Sequence, residues 1–336
     1  MFQMVIGICL VLLTLGVAQD VDAQSRVPEV KRSDVAFDVR NQCRRETFTL
    51  YSPSMKREID VRVVLPPGYD ENPDMKYPVL YTLHGRGASF ASFSEMAPLI
   101  KELADKPMIV TCFDGGNMSF YLDAVNGGRV PKEVVSKKPR ETRRLSGEAL
   151  EKARVAWDVL PEELLSLYTT FFFDEFVPAM DGFYRVDTKK RAVTGFSMGG
   201  FGAVHYMLER PEFFVSISGL SSVFYFEERF KDATSTNSFE SLLGSYEENK
   251  DLYRIILHSD RIKAARANGI KLPPIFQHCG SEDRLIAGNE KMHKILEEAG
   301  YDIVFKATPG KHNWPFWRDA SVGVIDFHWK HFNVSN

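Results

Sequence analysis

The chain has 336 residues, 44% of them hydrophobic and 26% charged, with a formal net charge of −3. That composition excludes disordered, collagen-like and polytopic membrane chains. With 42 Lys and Arg against 45 Asp and Glu, it also lacks the cationic excess on which binding of nucleic acid depends.

Residues 5–17 (VIGICLVLLTLGV) form an apolar run shorter than the ~20 residues of a membrane-spanning helix. Val21-Asp22-Ala23 follows as a small-residue cleavage pattern. Residues 1–23 therefore read as a secretory signal peptide, which predicts a secreted or periplasmic protein with no membrane span in the mature chain. Residues 1–4 carry no Lys or Arg, and the alternative is an uncleaved anchor. Cleavage would remove Cys9 and leave Cys43, Cys112 and Cys279, an odd number without regular spacing that argues against a disulfide framework. Cys112 and Cys279 lie in short apolar runs and read as small buried hydrophobes. Asn117-Met118-Ser119 and Asn333-Val334-Ser335 are sequons, used only in a eukaryotic secretory pathway.

Residues 24–45 are polar and irregular and predict an N-terminal arm. Residues 46–336 read as one domain. In residues 58–65, Ile59, Val61, Val63 and Leu65 alternate with polar neighbours, the period of a strand with one wet face. Residues 77–83, 108–113, 191–194, 214–218, 274–279 and 302–307 are short runs rich in Val, Ile, Phe and Tyr, as in strands buried on both faces. Helical spacing of apolar residues marks 92–104, 162–182, 198–209, 287–299 and 316–332. Strands alternating with helices predict an α/β fold: a mostly parallel central sheet with helices on both faces. Ligands then sit beyond the carboxyl ends of the strands. Two segments break the alternation. Residues 129–154 hold nine Lys or Arg against four Glu, and 129–165 is expected to be a basic cap insertion over that edge, with a solvated loop as the alternative. Residues 227–270 are polar and read as partly helical and peripheral.

The strongest chemical signal is Gly195-Phe196-Ser197-Met198-Gly199-Gly200. A GxSxG motif between a strand and a helix forces its serine into strained backbone angles and lifts the hydroxyl out of the sheet edge. A serine hydroxyl needs a base. Of the eight histidines, His205, His258, His278, His293, His328 and His331 lie inside helices, strands or the peripheral segment. His312 lies in a loop between the last strand and the last helix. The imidazole needs a carboxylate to fix its tautomer, and Asp283 in Cys279-Gly280-Ser281-Glu282-Asp283 is the candidate, with Glu282 as the alternative. The order Ser197, Asp283, His312 is the α/β-hydrolase order. The amide of Met198, after the nucleophile, is one expected oxyanion donor. Arg86, in His84-Gly85-Arg86-Gly87, is the other, with His84 expected to shape the loop.

Leu65-Pro66-Pro67-Gly68-Tyr69, Leu83-His84-Gly85, Gly195-Phe196-Ser197-Met198-Gly199-Gly200, Cys279-Gly280-Ser281-Glu282-Asp283 and Pro309-Gly310-Lys311-His312-Asn313-Trp314 together resemble one esterase family. It includes esterase D (S-formylglutathione hydrolase), tributyrin esterases, feruloyl and acetyl xylan esterases, and the antigen 85 mycolyltransferases. The resemblance runs over residues 47–332. It implies an α/β-hydrolase fold with Ser197, Asp283 and His312 as triad and Arg86 and Met198 as oxyanion donors. The basic insertion departs from the family and leaves substrate preference open.

The sequence thus predicts an exported serine esterase acting on small-molecule or polysaccharide-linked carboxylic esters, acetyl or feruloyl among them, with no cofactor and no metal. Trp314 and Gly85 are candidate substrate contacts. Trp314 and Trp317 could form a sugar-stacking wall, with core packing as the plain alternative. Three further readings stay open: an acyltransferase with a sugar acceptor, an S-formylglutathione hydrolase-like thioesterase, and a non-catalytic binding module on the same fold.

Overall fold

A computed structural model describes residues 30–38, 40–138, 147–231 and 239–334. The expected signal peptide, residues 1–23, lies outside them, as do Arg140, Arg143, Arg144 and Ser335. The strands are β1 (Val30–Asp38), β2 (Cys43–Ser52), β3 (Arg57–Leu65), β4 (Tyr77–Leu83), β5 (Ile109–Phe113), β6 (Arg129–Pro131), β7 (Glu163–Leu165), β8 (Val186–Phe196), β9 (Ser216–Leu220), β10 (Ile275–Gly280) and β11 (Ile303–Thr308). Nine of them form one sheet in the order β1-β2-β3-β5-β4-β8-β9-β10-β11, and β6 pairs with β7 as a separate ribbon. From β5 to β11 the pairing is parallel. On the other side, β1, β2, β3 and β5 pair antiparallel in turn.

Strand periodicity sorts the side chains into two cores. Val79, Tyr81, Val193 and Ile275 point to one face, under the helix Met198–Glu209. Their neighbours Leu80, Ala192 and Phe276 point to the other, under the helices Ala97–Glu102 and Trp314–Phe332. Every residue of β4, β5, β9 and β10 is buried, because helices cover both faces there. Cys43, Cys112 and Cys279 are free and buried, and burial pushes the Cys112 and Cys279 thiols up to about 12.

Four expectations need correction. The arm at 24–45 is not irregular from residue 30 onward: β1 pairs with β2 from Val30↔Leu50 to Asp38↔Cys43. Its polar sequence suits an edge strand, where charges discourage further pairing. The last strand, expected to be buried, is mostly exposed, Val304 by 43%, because β11 has only β10 beside it. Residues 162–182 are not one helix, since Glu163–Leu165 is a strand and a π-helical turn, Phe171–Phe176, precedes the helix Val177–Phe183. The described residues of 227–270 are partly helical, as expected, but not peripheral: Phe239, Leu242, Tyr253, Ile256 and Ile262 are buried, and the His258 ring packs 4.3 Å from that of Phe201. Asn117 is 9% exposed and its side-chain amide donates to the Glu133 carbonyl, a position where the folded chain does not accommodate a bulky surface glycan.

His328 shows how polar groups are kept inside the sheet–helix layer. Fully buried, its Nδ1 and Nε2 each lie 2.8 Å from a hydroxyl, of Ser216 and Ser218 respectively. Burial holds its pKa down to about 3. The unfolded chain therefore binds a proton that the fold refuses, and the stability His328 contributes, complete above about pH 6.5, declines as pH falls towards 3 by ~1.4 kcal/mol per pH unit. Urea unfolding at pH 7 and pH 5 should show a loss in the wild type that is larger by ~2 kcal/mol than in His328→Gln. Equal losses would contradict the assignment.

Candidate active site

From the middle of the sheet the chain runs outward in opposite directions, β4 to β5 on one side and β8 to β9 on the other. Loops leaving β4 and β8 therefore diverge and open a crevice at their carboxyl ends. Ser197 stands in that crevice. It follows β8 and caps the helix Met198–Glu209 with φ 56° and ψ −116°, a region that costs ~1–3 kcal/mol for a side-chain-bearing residue. The turn is held by the Ser197 amide donating to the Leu220 carbonyl and the Val223 amide donating to the Ser197 carbonyl. Glycine is required around it by space: a Cβ at Gly199 would lie 1.9 Å from the Leu83 oxygen, and one at Gly195 would lie 2.3 Å from the Gly199 backbone.

The other two loops leave adjacent strands in register, Gly280 beside Thr308. The Ser281 amide donates to the Thr308 carbonyl and the Glu282 amide to the Gly310 carbonyl, so the loops bearing Asp283 and His312 are stitched together. His312 Nδ1 lies 2.9 Å and 3.1 Å from the two oxygens of Asp283, and its Nε2 lies 2.9 Å from Ser197 Oγ. Asp283 is 2% exposed. Burial pushes its carboxyl up, but hydrogen bonds from His312, the Leu285 amide and the Ser221 hydroxyl outweigh this and hold it below its ordinary value. An ionised Asp283 accepts a hydrogen bond from Nδ1–H, which fixes the tautomer in which Nε2 is unprotonated and faces the serine. The Trp317 ring stands edge-on to the imidazole at 4.9 Å, and Asn313 caps the following helix by accepting from the Phe316 amide.

The three triad candidates thus come together, and the Glu282 alternative does not: its carboxylate is exposed and faces Lys311 at 3.7 Å. His205, also buried, is committed to Thr169 and Arg261. Gly85 packs so tightly that a Cβ there would sit 2.7 Å from the Phe196 ring, which holds the Arg86 loop against the elbow. Among the described residues the Arg86 amide has no hydrogen-bond acceptor, and the Met198 amide, first in its helix, has no intrahelical one. Trp314 is 38% exposed, whereas Trp317 is 8% exposed and stacks on Phe196 at 4.6 Å. A wall of two tryptophans is therefore reduced to Trp314. With Glu95, Met96, Pro315 and Arg318 it lines a groove of about 220 Å³. A larger cleft, about 450 Å³, is lined by residues such as His278, Lys311 and Asp319 and by none of the triad candidates. Ser221, with φ 45° and its hydroxyl on Asp283, is a contributor that no spacing in the sequence announces.

Residues 52–322 match the family model described as Putative esterase. The chain is similar to an acetyl esterase of Caldicellulosiruptor saccharolyticus, 23% identical over 299 residues that cover 83% of this chain and 96% of the relative. It is similar in structure to a ferulic acid esterase at 23% identity and TM-score 0.62, covering 87% of this chain and 99% of that one. An S-formylglutathione hydrolase from Agrobacterium tumefaciens matches at 16% identity and TM-score 0.69, over 90% and 100% of the two chains. These structures establish the fold, which is that of the α/β-hydrolases.

Replacing Asp283 by Asn keeps the shape but removes the charge that selects the tautomer, and should lower kcat by ~10⁴-fold. Glu282→Gln should leave kcat within about twofold, since exposed charges contribute little. Steady-state kinetics on a chromogenic ester checks both, and a reversed ranking would move the acid role to Glu282.

Proposed function

The chain belongs to the esterase family and is a serine carboxylic ester hydrolase, and from that premise we propose that Ser197, His312 and Asp283 are its catalytic triad. The observation that carries this is the unbroken line of hydrogen bonds from Asp283 through His312 to Ser197 Oγ. Ser197 Oγ attacks the acyl carbon and its proton passes to His312 Nε2. The oxygen that becomes negative is received by the amides of Met198 and Arg86, at a helix N-terminus and a glycine-rich turn. As the tetrahedral species collapses, the alcohol departs with the proton from His312. Water then gives a proton to His312 as it attacks the acyl carbon of the acyl-enzyme, and this second tetrahedral species collapses with His312 returning the proton to Ser197 Oγ, which releases the acid and the free serine.

The substrate class we propose is an acetyl or feruloyl ester carried by polysaccharide, met outside the cytoplasm. Three features favour it. The N-terminal residues have the pattern of a signal peptide, which makes residues 1–23 a leader. The exposed Trp314 beside the base offers a face on which a sugar or phenolic ring can stack. Similar proteins include an acetyl esterase and a ferulic acid esterase. The basic segment within 129–165 is proposed as a cap that tunes access by charge. Of its cations, Lys132 and Lys152 are already paired with Glu162 and Glu148. Among the described residues no helix is long and apolar enough to cross a membrane.

Ser197→Ala should lower turnover of p-nitrophenyl acetate by at least ~10⁴-fold and abolish labelling by a fluorophosphonate. Full activity in that variant would refute the triad. Trp314→Ala should raise KM for acetylated or feruloylated xylan fragments by ~5–10-fold while leaving p-nitrophenyl acetate unchanged. Equal effects on both substrates would remove Trp314 from the carbohydrate side, and product analysis with added sugar separates hydrolysis from acyl transfer.

A further inference from the structure

The amide of Arg86 is useful as an oxyanion donor only if its peptide plane is fixed, and the loop that carries it, residues 84–87, has no regular structure of its own. The plane is held from its carbonyl end. The Gly85 carbonyl, which shares that peptide with the Arg86 N–H, lies 2.9 Å from His84 Nδ1 and accepts from the Ala88 amide at 3.0 Å. The Gly115 amide donates to His84 Nε2 at 2.9 Å. An amide can only donate, so Nε2 is unprotonated, and the proton must be on Nδ1, pointing at the Gly85 carbonyl. His84 is fully buried. Its backbone carbonyl is held as well, accepting a 2.8 Å hydrogen bond from the hydroxyl of Tyr121.

Tyr121 is held in an uncommon way. It and Phe120 have φ of 61° and 51°, two consecutive left-handed residues, neither of them glycine. Such a pair persists only where the surroundings over-determine it. Here the Tyr121 amide donates to the Ser119 hydroxyl at 3.0 Å and its carbonyl accepts from the Thr169 hydroxyl at 3.1 Å. The ring is fully buried against the elbow helix, where a Cβ at Gly202 would fall 2.5 Å from it. Burial pushes the phenol well above its ordinary value, so it remains an O–H donor.

Resting on the triad reading above, we propose that Tyr121 is a positioning residue for the reaction: through the His84 carbonyl it locks the His84–Gly85–Arg86 turn so that the Arg86 amide faces the developing oxyanion. The strained turn at 120–121 places one hydroxyl between the oxyanion loop and the elbow helix, tying the donor to the nucleophile across two loops. Hydrogen bonds on the Gly85 carbonyl also polarise the peptide and strengthen its N–H as a donor. Tyr121 touches no reacting atom.

The test compares Tyr121→Phe with Tyr206→Phe, whose hydroxyl, equally buried, donates to the Tyr168 carbonyl away from the loop. Steady-state kinetics on p-nitrophenyl acetate, inhibition by a trifluoromethyl ketone that forms the tetrahedral adduct, and thermal unfolding are measured on each. Tyr121→Phe should lose about tenfold in kcat with KM unchanged, and about the same factor in affinity for the ketone. Tyr206→Phe should shift unfolding but keep kcat within about twofold. Ser119→Ala, a gentler loosening of the same turn, should move kcat and ketone affinity in the same direction by a smaller factor. The proposal is overturned if Tyr121→Phe keeps wild-type kcat, or loses kcat without losing affinity for the ketone. Ser197→Ala measured alongside separates the two levels: an active Ser197→Ala defeats the triad reading, whereas a dead Ser197→Ala with an unimpaired Tyr121→Phe defeats only this proposal.

Discussion

Everything at the catalytic edge depends on how closely the helix after β8 approaches the end of β4. Gly199 lies where any side chain would collide with the Leu83 carbonyl, and Gly195 and Gly199 lie against each other. That contact brings the N-terminus of the helix, with its free amides and positive dipole end, beside the glycine turn that carries Arg86. It also forces Ser197 into φ 56°. The strain is sustained because both neighbours are fixed: Ala192, Val193 and Phe196 are buried in the two cores, and the serine's own amide and carbonyl are hydrogen-bonded to the end of β9 and to the segment just after it.

The remaining parts are placed by the same sheet. β10 and β11 end side by side, so the loops bearing Asp283 and His312 share backbone hydrogen bonds before either reaches the serine. His312 is thus held by Asp283 at Nδ1 and by the edge of Trp317 on its flank. On the opposite side of the crevice, the loop after β5 folds back on the loop after β4 through Gly115 and Tyr121. Ser197, His312 and the Arg86 turn, the proposed nucleophile, base and oxyanion donor, are therefore each positioned by a neighbouring post-strand loop. Little reorganisation is required when charge develops, which is where electrostatic catalysis has its advantage.

The sheet was readable where the chain is buried on both faces. Residues 77–83 carry an unbroken apolar pattern and form β4 over the same span, and the Ser-Met-Gly-Gly turn announced the helix Met198–Glu209. Ser197, Asp283 and His312 could be named from their loops because each follows a recognisable strand. The polar edge strand β1 could not, since its pairing with β2 is written in backbone hydrogen bonds and not in apolar residues. The aromatic packing that buries Phe239 depends on partners such as Phe120 and Phe201, distant in the chain. Tyr121 and Ser221 were invisible for a related reason: their value lies in positive φ angles and in one hydrogen bond each to a distant loop. The pair Gly115-Gly116 after β5 was the one local sign that a backbone approached another closely there.

The most direct test of the account is to trap the acyl-enzyme. Turnover of p-nitrophenyl acetate is stopped with acid within the first seconds, the protein is digested, and the peptides are weighed and sequenced by mass spectrometry. Nucleophilic catalysis through the elbow predicts a single acetyl group, located on Ser197, and its accumulation in Asp283→Asn or His312→Ala if deacylation slows more than acylation. Rapid ester turnover with Ser197 unmodified, or an acetyl group that chases to product from another residue, would contradict it.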